Sequence, residues 1–155
     1  MFWPIALAVV LHILAAVIWV GGMFFAYLCL RPAAGGLEPP ARLALWRGVF
    51  DRFLPWVWGS VIVLLASGYY LVFAFYGGFD IAGLPVMIMH AVGWVMAVLF
   101  AVLYFGPYRT LGAALDGGDM ARAADALGGI RRIIAINLPL GLLTVIVAAS
   151  AHFWR

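Results

Sequence analysis

The sequence predicts an all-α protein: a bundle of four transmembrane helices, both termini outside, with short interfacial helices in the cytoplasmic loops. Three observations carry that expectation. The first is composition. The 155-residue chain is 68% hydrophobic and only 10% charged, and its mean hydropathy is +1.15. A water-soluble domain needs about 25% charged residues. A soluble globular domain, a disordered chain and a nucleic-acid binder are therefore excluded together. The second is that the apolar residues gather into four long runs. The third is the placement of charge, because all nine basic residues are Arg and none is Lys.

The runs cover residues 3–30, 53–76, 81–107 and 130–154, and none has a charged side chain in its interior. Each is long enough to cross ~30 Å of hydrocarbon at 1.5 Å per residue. Backbone groups in lipid must be bonded within the segment, so each run reads as a helix. The alternation of a membrane β-strand is absent. The first run has no basic stretch before it, so it reads as a span and not as a cleaved leader. The chain as a whole, 1–155, reads as one membrane domain.

The connections between the runs are unequal. Residues 31–52 hold Arg31, Arg42, Arg47 and Arg52, and the region from 108 to the start of the fourth run holds Arg109, Arg122, Arg131 and Arg132. The short turn 77–80 holds no basic residue, and only Arg155 lies on its side. The positive-inside rule makes the Arg-rich connections cytoplasmic and puts both termini on the outer side. In a bacterium this is an inner, cytoplasmic membrane protein with its outer face in the periplasm. Within the connections, Ala41–Phe50 follows Pro39-Pro40 and reads as an interfacial helix. Asp119 is placed to cap a second short helix, 120–127, which Gly128-Gly129 would end. Pro107 should end the third helix, Pro139 should kink the fourth with Gly141 easing the bend, and Pro55 and Pro85 fall in first turns. The lone Cys29 forms no intrachain disulfide and reads as a packing residue.

Polar residues at membrane depth are costly and are functional candidates. His12 and His90 each lie about nine residues in from the outer end of their helices, ~13 Å deep. The first and third helices run parallel, so the depths match and the two imidazoles can share one metal. A lone membrane His is often only a helix–helix hydrogen-bond partner, and matched depth favours the ligand reading. His12, Ala16, Trp19 and Met23 share one stripe with Gly22 beside it, and His90, Trp94, Ala97 and Ala101 share another. Small and aromatic residues around each His suit a flat ligand. The leading reading is a b-type haem held by His12 and His90, with Trp19, Gly22, Ala16, Trp94 and Ala97 lining it, and an electron-transfer role. A quinone and a periplasmic redox protein are the partners it implies.

Copper is the alternative. His12, Met89 and His90 offer imidazole and thioether donors that suit Cu(I), and a periplasmic copper protein would then be the partner. Met87 and Met89 project to different helix faces, and Met23 lies ~16 Å from His12 along its helix. His152, at the outer end of the fourth helix, is a second-tier ligand. A structural subunit without metal, and association into a homo-oligomer, are also open. The sequence carries no Ser-His-Asp set, zinc motif or phosphate loop.

The stretch Leu11–Phe25, with His12, Trp19, Gly21 and Gly22, resembles the first-helix signature of copper-resistance protein D (CopD). It is also similar to that of the HemJ-type protoporphyrinogen oxidases. Arg52-Phe53 and Ser67-Gly68-Tyr69-Tyr70 fit the same pattern. The HemJ likeness implies haem b on the helix-one histidine, which is His12 here. Those relatives carry a lysine in the third helix, where this chain has none and His90 stands as the substitute. The CopD likeness implies copper uptake across the inner membrane.

Overall fold

The computed structural model describes residues 3–154, all in helices and short turns, with no strand among them. Arg155, read above as the one basic residue at the opposite end, lies outside the described residues. The four helices are α1 (Trp3–Gly36), α2 (Pro39–Tyr76), α3 (Phe79–Asp116) and α4 (Met120–Phe153), each long and apolar enough to cross a membrane. Each is on the order of 50 Å long, well beyond the hydrocarbon thickness. The surplus lies at the Arg-rich end, and it changes several expectations.

Ala41–Phe50 is not a separate interfacial helix. Pro39–Leu71 is one α-helix, started by Pro39 and Pro40 where no N–H is needed. Leu43, Trp46, Phe50, Leu54, Val57 and Val61 are all buried. Their spacing of three and four residues is one unbroken helical stripe. Arg47, Asp51 and Arg52 sit beside that stripe and do not break it. Pro55, expected in a first turn, is therefore inside the helix.

The same holds for the fourth helix. Asp119 does cap it, accepting the Arg122 backbone N–H at 3.0 Å, as expected. Gly128-Gly129 does not end it, and Met120–Ser150 runs through both glycines and through Pro139. A glycine stop needs a left-handed residue, and neither glycine has positive φ. Gly129 instead admits Pro107 of α3, which would stand 3.3 Å from an added Cβ. Pro107 does not end α3 either. A π-helical turn, Tyr104–Tyr108, takes up the proline, and the helix continues as Arg109–Asp116. The wider turn relieves the clash of the ring with the preceding turn and the loss of its N–H. At the other end of α3 the backbone breaks at Gly83, whose φ is +79°, and Pro85 begins the next turn, as expected.

Backbones approach most closely in the pairs α1–α2 and α3–α4, and α4 also packs along α1 and α2. α1 and α3 lie on the long diagonal and meet through large side chains, such as the Trp19 edge against Phe100 at 6.0 Å. Gly141 lets α4 close on Val20 of α1 and Met96 of α3, both near 3 Å from an added Cβ, so it serves packing. The most enclosed side chains are Trp46, Phe50, Val57, Leu111 and Ile130. All belong to the Arg-rich half and its neighbourhood. The Arg-poor half, which holds His12 and His90, has fewer buried residues. The outward faces, including Leu7, Val17, Ile62, Val98 and Ile146, are apolar and exposed, as a lipid-facing surface requires.

Candidate metal site at the Arg-poor end

His12 is half-buried on α1, and its Nδ1 lies 2.8 Å from Ser67 Oγ on α2. Ser67 also makes a shorter bond to the Val63 carbonyl one turn back. A hydroxyl has one hydrogen, and the shorter contact assigns it to Val63. Ser67 then accepts from His12, so Nδ1 carries the imidazole proton and Nε2 keeps its lone pair. The ring rests against Gly68, where an added Cβ would come within 3.3 Å of Cε1. Ser67 and Gly68 together set both the tautomer and the tilt of His12.

His90 is half-buried on α3 between two aromatic edges. Its ring centroid lies 5.4 Å from Tyr69 and 4.8 Å from Phe79. Tyr69 is also tied to α3, because its hydroxyl accepts from Trp94 Nε1 at 3.1 Å. The consecutive residues Ser67, Gly68 and Tyr69 thus receive both imidazoles, His12 on the α1 side and His90 on the α3 side. Each His keeps its own set of neighbours. Among the described residues no group of three or more His, Cys, Asp or Glu could hold a metal together.

The other candidates scatter. Met89 is half-buried beside His90, while Met87 is exposed. Ala16 is half-buried, and Ala97 packs against the core. Trp94 is 42% exposed, and Trp19 is buried. His152 is exposed at the end of α4, with its ring 3.6 Å from that of Phe153. Gly22 is occupied differently from expectation, because the ring of Phe53 from α2 lies where its Cβ would be. Its missing side chain serves helix packing, not a flat ligand. A Gly22→Val substitution is expected to cost about 1–3 kcal/mol by overpacking. A thermal melt in detergent checks this, and a melt equal to wild type would remove the α1–α2 contact as its reason.

Ser67, Gly68, Tyr69 and Phe79 were not among the candidate ligand and lining residues. The Ser67 hydroxyl bonds both within its own helix, to the Val63 carbonyl, and to His12. Counting inward from Tyr76, the end of α2, places Ser67 at the same depth as the two histidines. That count was available in the sequence.

Four apolar crossings with polar side chains turned into the bundle define a multi-pass membrane protein. The chain belongs to the copper resistance protein D family, whose model matches residues 47–151. It is a copper-resistance-type membrane protein. The matched stretch takes in Ser67, Tyr69 and His90, while His12 precedes it. No curated protein and no solved structure matches the chain.

Proposed function

We propose that the protein binds Cu(I) in the Arg-poor half of the bundle and carries it through the bilayer, with copper as cargo. His12 is the anchoring donor through Nε2, and His90, with Met89 beside it, supplies the remaining soft donors. The single observation that carries this reading is the His12–Ser67–Val63 chain. It directs the imidazole and leaves Nε2 as the ligating atom, as hydrogen bonding does for metal-ligating histidines. Neutral imidazole and thioether suit Cu(I), and family membership points to copper. The Arg-rich end faces the cytoplasm by the positive-inside rule, so the site opens from the outer side of an inner membrane.

The arrangement expected for haem b fits the residues less well. The small-residue slot at Gly22 is filled by Phe53. Trp19 is packed on Phe100, and Trp94 is spent on Tyr69. The deciding experiment is a Cu(I) titration of the purified protein against a chromophoric chelator, with a visible spectrum of the same sample. Tight, stoichiometric Cu(I) and no Soret band are expected. A Soret band shifting on reduction with dithionite would overturn copper in favour of a haem redox protein. A colourless sample that leaves Cu(I) on the chelator would leave a structural subunit.

A further inference from the structure

At the Arg-rich end a cleft of about 280 Å³ opens between α2 and α3, lined by Arg47, Tyr108, Arg109, Gly112, Ala113 and Asp116. Its floor is an interhelical clamp. Arg47 Nε donates to Asp51 at 2.8 and 2.9 Å, and the Tyr108 hydroxyl donates to the same carboxylate at 2.7 Å. Asp51 thereby joins α2 to α3 through Tyr108. The rest of the Arg47 guanidinium lies flat on Gly112, at a place where any Cβ would collide with it. Nη1 is buried there without a hydrogen-bond partner, and Nη2 is the part of the fork left for a ligand. The clamp thus fixes the position of Arg47 while using only part of its donor fork.

Arg109 forms the second wall. Its guanidinium stacks 5.0 Å over the ring of Phe105, which is 55% exposed on the apolar outer surface. A cation resting on a lipid-facing ring lies where hydrocarbon gives way to headgroups. Arg31 also lies over an aromatic ring at this end of α1, that of the half-buried Tyr27, at 4.8 Å. Eight Arg against Glu38, Asp51, Asp116, Asp119 and Asp125 leave this end with three positive charges in surplus. The cleft itself carries both signs, because Asp116 faces the two Arg.

We infer that this cleft holds the phosphodiester headgroup of a membrane phospholipid. Arg47 and Arg109 receive the phosphate oxygens, since the guanidinium fork matches phosphate geometry. Asp116 accepts from the headgroup's own O–H or N–H donors. Basic clefts between spanning helices bind lipid headgroups on this principle. The sign pattern selects headgroups that pair a phosphate with hydrogen-bond donors, such as glycerol or ethanolamine, over choline, which has none. The inference needs only the bilayer and not the copper site.

The test uses the full chain, delipidated in detergent and returned to mixed micelles of defined lipid. Native mass spectrometry counts retained lipid, and thermal melts read its effect. Phosphatidylglycerol and phosphatidylethanolamine are expected to be retained and to raise the melting temperature, phosphatidylcholine much less. Arg109→Gln should weaken retention about tenfold, the loss of one charge-assisted hydrogen bond, with its lipid-free melt unchanged. Asp116→Asn should keep phosphate binding and erase the preference over choline. Equal retention of phosphatidylcholine by wild type, or wild-type retention by Arg109→Gln, would overturn the site. Inorganic phosphate that stabilises the protein as well as lipid does would overturn the lipid as its occupant.

Discussion

If His12 anchors Cu(I) as proposed, His12→Ala is expected to abolish tight Cu(I) binding, and Ser67→Ala is expected to weaken it by about 10- to 100-fold while leaving the helices folded. The first effect follows from removing the anchoring donor. The second follows from loss of the acceptor for Nδ1–H, which frees the ring to rotate and to change tautomer; outer-shell partners of metal-bound histidines contribute on this order. Ser67 touches no metal in this scheme, so a graded loss separates orientation from ligation. Ser67→Thr keeps the hydroxyl and should restore most of the affinity. The readout is competition against a Cu(I) chelator, with a thermal melt as the control for folding. Wild-type affinity in Ser67→Ala would show that the 2.8 Å contact does not orient a ligand. Wild-type affinity in His12→Ala would remove the proposed site.

Phe50→Ala is expected to lower stability by about 3–5 kcal/mol, the range for deleting a buried aromatic ring. Phe50 is 2% exposed and stacks on Trp46 at 5.2 Å, above which Arg131 of α4 sits at 5.5 Å. The substitution also tests the fold. In an interfacial helix over residues 41–50, Phe50 would lie in the headgroups and its loss would be nearly neutral to bundle stability. In the unbroken α2 it is a core residue joining helices at the Arg-rich end. Trp56, on the same helix but 66% exposed, is the control. Trp56→Ala should leave the melt in detergent almost unchanged. A neutral Phe50→Ala would return this segment to the interface.

The four crossings and the clustering of Arg were legible because lipid imposes them residue by residue. An apolar run must be helical whatever it packs against, and a charge stays out of it for reasons of solvation alone. Helix ends were less legible. Charges at 47, 51 and 52 hid a stripe of buried residues from Leu43 to Val61, and Gly128-Gly129 looked like a stop. Both segments are held helical by contacts with other helices, which local composition does not report. Pro107 misled for a related reason, since a π-helical turn absorbed what a short sequence window reads as a break.

The candidate site divides along the same line. That His12 and His90 lie at one level of the bundle follows from counting along helices, and both reach one turn of α2. Their neighbours could not be counted. Whether Gly22 opens a slot or admits Phe53, and whether Ser67 turns inward to His12, depends on which helices are adjacent and how they are rotated. The sequence by itself determined the solvent, the number of apolar helices, the charged end and the position of each polar group along its helix, because these are properties of single helices. Only the tertiary structure decided the partners of each side chain. Packing between four similar apolar helices is set by the summed fit of many small contacts, and no single residue specifies that sum.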